Sequence, residues 1–242
     1  MSVYVITGAS RGLGFGYVKK LLESGSNVSC VALARSPDTA NQLKELKQQY
    51  SDRLEIVKHD VSSESSAQEA AKQVEALGIA KNGIDVLINN AGVIDGGFAP
   101  VLRPDAVDSL KKELDVNVFG AMYTTQAFLP LLKKGNKKQI IFLSSILGSM
   151  GNPMSKSPAA GTYSMTKAAI NMYAVKLSAA LQDFTVIPFH PGYVKTDMNG
   201  GEDGHGQITV EEAISSGAKV FLSIKPEDNL KFLQYTGETL PW

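Results

Sequence analysis

Tyr163 and Lys167 stand four residues apart in the segment YSMTK, and a helix would bring both side chains onto one face. An ammonium group beside a phenol favours the phenolate, so it should lower the tyrosine pKa from its usual value of about 10. Such a tyrosine could donate and accept a proton near neutral pH. Taken alone, such a pair is more often a tyrosine packed on the aliphatic part of a lysine. Other motifs in the chain must therefore show whether this pair is catalytic.

The chain begins with the pattern of a strand, a glycine-rich turn and a helix. The apolar run 1–7 is followed by Gly8, Gly12 and Gly14 and then by a helical pattern over 15–22. Glycines in such a turn let a pyrophosphate approach backbone N–H groups and the N-terminus of the helix. The spacing G-x-x-x-G-x-G departs from the commoner G-x-G-x-x-G, and a purely structural turn is the alternative.

Seven short motifs follow one another in the order typical of a known family. They are TGASRGLG (7–14), HDV (59–61), NNAG (89–92), DVNVFG around Asn117, SSILG (144–148), YSMTK and HPGYVKT (190–196). On these motifs the chain resembles the short-chain dehydrogenase/reductase family, from its first strand almost to residue 242. The segments HPGYVKTDM and GETLPW are most similar to small carbonyl reductases of the sniffer and fungal ketoreductase type.

The resemblance implies a catalytic tetrad of Asn117, Ser145, Tyr163 and Lys167. Tyr163 would exchange a proton with the substrate oxygen, Lys167 would stabilise the phenolate and hold the ribose, and Ser145 would bond the same oxygen. Asn117 would order a water in a proton relay. Ser144 is the rival of Ser145, which is favoured because the family places its serine second in S-S-x-x-G.

The resemblance also implies a set of residues that bind a dinucleotide. They are Gly8, Ser10, Arg11, Gly12, Leu13, Gly14, Arg35, Asp60, Val61, Asn89, Ala91, Gly92, Lys167, Pro191, Gly192, Val194 and Thr196.

Charge at the end of the second strand predicts which dinucleotide binds. An NAD site usually carries an acid there for the ribose 2′-hydroxyl, whereas an NADP site needs a cation for the 2′-phosphate. This chain has Ala34 and Arg35 there, and Arg11 can approach from the glycine turn. Neither arginine has an acid next to it in the sequence, so NADPH is the expected cofactor.

Strand and helix patterns alternate along the whole chain and predict an α/β fold, a Rossmann-like doubly wound parallel sheet with helices on both faces. Strands are expected near 3–7, 28–34, 54–58, 84–88, 139–144, 185–190 and 232–235, and the longest helical stretch near 105–132. Residues 1–242 are expected to form a single dinucleotide-binding domain.

Two segments that flank the expected site look irregular, 150–161 and 197–207. Ser145 and Tyr163 are 18 positions apart, several more than is usual in the family, so 146–162 carries an insertion. Met150, Pro153 and Met154 could line a substrate mouth or face solvent.

Composition excludes several classes of partner. Lys plus Arg and Asp plus Glu are both 24, so no basic excess points to nucleic acid or to an anionic membrane. A lone Cys30 in an apolar run, no leader pattern and no apolar run of about 20 residues predict a cytoplasmic protein. The three histidines are scattered without a Cys or carboxylate cluster, so no metal is expected.

These patterns together predict an NADPH-dependent carbonyl reductase that converts a ketone or aldehyde to an alcohol. One alternative is an NADP-dependent alcohol or hydroxysteroid dehydrogenase working oxidatively, which would use the same residues. The other is a non-catalytic dinucleotide-binding regulator, whose expected sign is loss of Tyr163 or Lys167. The substrate is a small carbonyl compound of unspecified identity, and a homo-oligomer is possible because the long helix resembles the one through which relatives pair.

Overall fold

The computed structural model describes residues 1–196, 198 and 206–242, and an eight-stranded sheet forms its centre. The strands are β1 Ser2–Thr7, β2 Val28–Ala34, β3 Leu54–Lys58, β4 Val86–Asn89, β5 Gln139–Leu143, β6 Thr185–His190, β7 Phe232–Gln234 and β8 Thr239–Leu240. Their order across the sheet is β3-β2-β1-β4-β5-β6-β7-β8, and only β8 runs antiparallel to its neighbour. The order reverses between β1 and β4, which is where ligands bind in open parallel sheets.

Helices cover both faces of this sheet. They are α1 Gly12–Glu23, α2 Asn41–Gln49, α3 Glu64–Glu75, α4 Ala106–Leu114, α5 Gly120–Lys134, α6 Gly161–Ala180 and α7 Val210–Ser223. Successive residues of β1 point to opposite faces, so Tyr4 and Ile6 pack with α1, α2 and α7, while Val3 and Val5 pack with α3, α5 and α6. The predicted fold class is confirmed.

The predicted strands agree with the observed ones to within two residues, but three features of the fold differ from expectation. Strand β8 was not predicted. Strand β4 begins at Val86 rather than at residue 84. The expected helix over 105–132 is divided by a π-helix, Asp115–Phe119, into α4 and α5.

The segment expected to be irregular over 150–161 contains a short 3₁₀ helix, Pro153–Lys156, and ends at the first residue of α6; Asn152 caps the 3₁₀ helix by accepting the Met154 N–H. Met150 and Met154 are 82% and 55% exposed, and their contribution to a substrate mouth stays a prediction. Of the segment 197–207, residues 197 and 199–205 lie outside the described part of the chain. Among the described residues, no helix combines the length and the apolar character that crossing a membrane requires.

Candidate active site

Helix α6 places Tyr163 and Lys167 on one face, as their spacing predicts. The Lys167 ammonium lies 5.3 Å from the centre of the Tyr163 ring. It donates a 2.6 Å hydrogen bond to the carbonyl oxygen of Leu143, the last residue of β5. Lys167 is buried, so this bond fixes one end of a charged side chain inside the protein, next to the carboxyl end of the sheet.

The expected lowering of the Tyr163 pKa is wrong. Burial of the phenol, followed by the negative charge of Glu113, raises the pKa of Tyr163 above its usual value. Burial also lowers the pKa of Lys167 to about 8. The physical reason is that burial disfavours the charged form of both groups, and the lysine charge is directed at the Leu143 carbonyl. Tyr163 is therefore a protonated phenol at neutral pH.

The two serines after β5 have different partners. The Ser144 hydroxyl donates to Oδ1 of Asn171 at 2.6 Å and is thus used inside the protein. The Ser145 oxygen accepts the N–H of Leu147 at 3.2 Å at the start of a short 3₁₀ helix. A hydroxyl that accepts in this way still has its own hydrogen to donate.

Asn117 lies in the π-helix and braces two parts of the site. Its Oδ1 accepts the Val93 N–H at 2.8 Å, and its Nδ2 donates to the Val93 carbonyl and to Oγ1 of Thr166, at 2.9 and 3.0 Å. The Thr166 hydroxyl in turn donates to the carbonyl of Tyr163. A π turn is rare and frequently occurs at functional sites, but sequence periodicity gives no sign of it.

The glycine turn after β1 has the geometry that a pyrophosphate requires. Gly8 and Gly12 have φ values of +63° and +57°, a region that favours glycine. A Cβ added to Gly14 would clash with the Gly8 carbonyl oxygen, so a side chain there would close the turn. Helix α1 begins at Gly12 and directs its N-terminus to this turn.

Two residues that the sequence analysis did not single out hold the turn in place. Nδ2 of Asn90 donates to the carbonyls of Thr7 and Gly8 at 2.8 and 3.3 Å. The Thr7 hydroxyl accepts the N–H groups of Asn90 and Ala91. Thr7 begins the motif TGASRGLG, and Asn90 is the second asparagine of NNAG. The sequence therefore contained both residues within its motifs, although their role in holding the turn was not predicted. Asn89, which was singled out, is buried and donates to Thr125 of α5.

A cavity of about 490 Å³ lies beside the turn and the end of β2. The cavity is lined by Ser10, Arg11, Arg35, Ser36 and residues 39–42. Both arginines are exposed. The glycine turn and this cavity, which two arginines line, therefore fit a dinucleotide whose pyrophosphate would lie at the turn.

No acid is next to Arg35 in the sequence, but in the folded chain the charge of Asp60 interacts with that of Arg35. Asp60 follows β3, and hydrogen bonding to Ser62, with a contribution from the charge of Arg35, lowers the pKa of Asp60. Parallel pairing of β2 with β3 brings these strand ends together. Val61, the next residue, lies against Gly120 at the start of α5.

The other predicted cofactor residues lie at the carboxyl ends of β4 and β6. A Cβ on Gly92 would lie 3.3 Å from Oδ1 of Asn117 and 3.7 Å from the Lys167 ammonium, and one on Gly8 would lie 3.0 Å from the Cα of Ala91. The segment 91–92 therefore lies between the glycine turn and Lys167. After β6, Gly192 has a φ of +95° and Val194 forms a bridge with Ile208. The remaining residues in these two loops are Ala91, Pro191 and Thr196.

Comparison with known proteins agrees with this geometry. The family model described as short chain dehydrogenase matches residues 2–202. A protein of Schizosaccharomyces pombe described as an uncharacterized oxidoreductase is 37% identical over 256 residues, which cover 99% of this chain and 98% of that protein.

Solved structures give the same result at the level of the fold. The NADPH-bound carbonyl reductase from chicken fatty liver has a TM-score of 0.85 and 30% identity, with all of both chains covered. The carbonyl reductase Sniffer of Drosophila melanogaster has a TM-score of 0.85 and 29% identity, with 100% and 99% covered. The resemblance found in the motifs is thereby confirmed, and the chain belongs to the short-chain dehydrogenase/reductase family of oxidoreductases.

Proposed function

We propose that the protein is an NADPH-dependent carbonyl reductase that converts a ketone or aldehyde to an alcohol, with Tyr163 as the proton donor. One observation carries the proposal. Tyr163, Lys167 and the end of β5 that leads to Ser145 meet beside Gly92, next to a glycine turn that fits a pyrophosphate. A structural relative of similar size is a carbonyl reductase with NADPH bound.

The protonation state of Tyr163 supports proton donation. Burial and Glu113 raise the pKa of its phenol, so at neutral pH the group carries the proton that a new alcohol needs. The oxidative alternative would use the same residues in reverse, with Tyr163 accepting the proton of the alcohol. When bound, the cofactor supplies a hydride to the carbonyl carbon.

Ser145 and Lys167 would stabilise the negative charge that develops in this reaction. The Ser145 hydroxyl, whose oxygen is already occupied by the Leu147 N–H, would donate to the substrate oxygen. The Lys167 ammonium would hold the ribose hydroxyls and stabilise the Tyr163 phenolate after the proton has left. Asn117 would hold the loop after β4 in a fixed position relative to helix α6 through its bonds to Val93 and Thr166. The water relay expected of Asn117 stays a prediction.

Cofactor choice would be made by Arg11 and Arg35. Both line the cavity beside the turn, and a 2′-phosphate there would meet two guanidinium groups. Asp60, which lies near Arg35, would contact the adenosine rather than exclude the phosphate. Residues 1–242 would then act as one dinucleotide-binding domain on a small carbonyl substrate.

The test is a panel of aldehydes and ketones incubated with the purified protein and NADPH, with NADPH oxidation followed by absorbance. The proposal predicts turnover of at least one carbonyl compound and formation of the corresponding alcohol. Tight NADPH binding without turnover across a broad panel would instead support a dinucleotide-binding regulator.

A further inference from the structure

A third polar residue follows Tyr163 and Lys167 on the same face of α6. Asn171 is four residues after Lys167 and eight after Tyr163, so three successive turns direct Tyr, Lys and Asn to one side. Asn171 is only 4% exposed, and a buried amide must find partners for both of its polar atoms. Both partners belong to the segment that contains Ser145.

The Asn171 side chain bridges the two sides of Ser145. Its Oδ1 accepts the hydroxyl of Ser144 at 2.6 Å, and its Nδ2 donates to the carbonyl of Gly148 at 3.2 Å. One turn earlier, Lys167 holds the Leu143 carbonyl. The segment 143–148 is therefore attached to α6 at three points, and Ser145 lies between them.

Close packing prevents this segment from moving towards the helix. A Cβ added to Gly148 would lie 2.6 Å from the backbone carbon of Lys167. Gly148 thus allows the segment to approach α6 closely enough for Asn171 to reach both of its partners.

The chain that follows provides less support for Ser145. Between Gly148 and the start of α6 it passes through the long connection, where Ser149 and Gly151 bond to the carbonyls of Pro241 and Trp242. These contacts attach the start of the connection to residues 241–242 rather than to α6. A long connection restrains the positions of its ends only weakly. A direct bridge from Ser144 and Gly148 to α6 therefore restrains the position of Ser145 more strongly than the connection does.

We infer that Asn171 is a positioning residue that fixes the Ser145 hydroxyl relative to Tyr163 by bridging Ser144 and Gly148. The inference rests on the carbonyl reduction proposed above. Asn171 does not touch the reacting atoms. Its loss would leave a buried hydroxyl and a buried carbonyl without their partner, and the segment 144–148 would shift to find others.

The experiment compares Asn171→Ala, Ser145→Ala and the double variant in NADPH-dependent reduction of one carbonyl substrate. Asn171→Ala should lower kcat roughly tenfold to a hundredfold, because a displacement of about 1 Å near the chemistry can cost that much. The KM for NADPH should stay within about twofold, because Asn171 acts on the serine. In the Ser145→Ala background, adding Asn171→Ala should change kcat by less than about twofold, because the group it positions is already absent.

Asn229→Ala is the matched control. Asn229 also bonds to a serine of α6, Ser178, and accepts the Val186 N–H, but it lies at the opposite end of that helix. Asn229→Ala should lower the free energy of unfolding, as Asn171→Ala does, but it should leave kcat unchanged. A kcat for Asn171→Ala equal to that of Asn229→Ala would overturn the inference, and so would a full further loss in the Ser145→Ala background.

Ser144→Ala covers the case in which Asn171→Ala does not fold. It removes one arm of the bridge and leaves the bond to Gly148, so it should lower kcat several-fold in the wild type and hardly at all in the Ser145→Ala background. An equal loss in both backgrounds would contradict the inference. A wild-type protein that reduces no carbonyl would instead contradict the proposed function.

Discussion

The two ends of the cleft differ in how firmly their functional groups are held. At the proposed catalytic end, Asn117, Ser145 and Lys167 are buried and hydrogen-bonded to the protein, and Tyr163 beside them is partly buried. At the phosphate end, Arg11 and Arg35, the side chains are exposed and line a cavity of about 490 Å³.

This difference separates two properties of the enzyme. Proton and hydride transfer need fixed distances, which buried groups with hydrogen bonds to the protein help to provide. Selection between two cofactors needs only charge near a phosphate, which exposed guanidinium groups provide. Substitutions at the catalytic end should therefore change kcat, and those at the phosphate end should change cofactor preference.

The largest effect is expected for Tyr163→Phe. It removes the transferable proton and keeps the ring, so kcat should fall by about 10²–10⁴-fold while NADPH affinity stays nearly unchanged. Steady-state kinetics and a fluorescence titration with NADPH measure the two quantities. A variant that keeps roughly a tenth or more of the wild-type kcat would remove Tyr163 from the role of acid.

A smaller loss, of about 10²–10³-fold in kcat, is expected for Ser145→Ala, because it removes one donor to the developing oxyanion. Ser144→Ala should cost much less, since the Ser144 hydroxyl faces Asn171. The two variants should be compared with the same carbonyl substrate. The reverse order would mean that Ser144 is the donor.

At the phosphate end, Arg35→Ala should weaken NADPH by roughly tenfold to a hundredfold and change NADH much less, because NADH has no 2′-phosphate. The measurement is KM for each cofactor with one carbonyl substrate. Lys58→Ala is a matched control, since Lys58 pairs with Ala34 across the strands but lies outside the cavity lining. An equal rise in KM for both cofactors in Arg35→Ala would show that Arg35 does not recognise the 2′-phosphate and is only a surface charge.

The smallest effect concerns stability. Burial lowers the pKa of Lys167 from 10.5 to about 8, so above about pH 8 the folded protein binds fewer protons than the unfolded chain. Its free energy of unfolding should then rise, relative to that of Lys167→Met, by roughly 1–2 kcal/mol between about pH 8 and 9.5. Denaturant titrations of both proteins test this. A constant or falling difference would show that burial does not perturb Lys167.

The sequence predicted the parts of the site that depend on local spacing. The common face of Tyr163 and Lys167 follows from helix periodicity, and strand ends follow from apolar runs. The glycine turn was recognisable because it lies between a strand and a helix.

Contacts between distant parts of the chain were not predictable in this way. The Lys167 bond to Leu143 and the approach of Asp60 to Arg35 depend on which elements become neighbours in the sheet. The direction of the Tyr163 pKa shift was missed for the same reason, since burial outweighs the charge that the spacing suggested.

The most direct test of the account is the ratio of kcat/KM for NADPH to that for NADH, measured with one carbonyl substrate in the wild type and in Ala34→Asp. The account predicts that the wild type reduces the carbonyl and strongly prefers NADPH. Ala34→Asp should shift the ratio towards NADH, because a carboxylate repels the 2′-phosphate and accepts a hydrogen bond from the ribose hydroxyl. A wild type that already prefers NADH, or an unchanged ratio in Ala34→Asp, would contradict it.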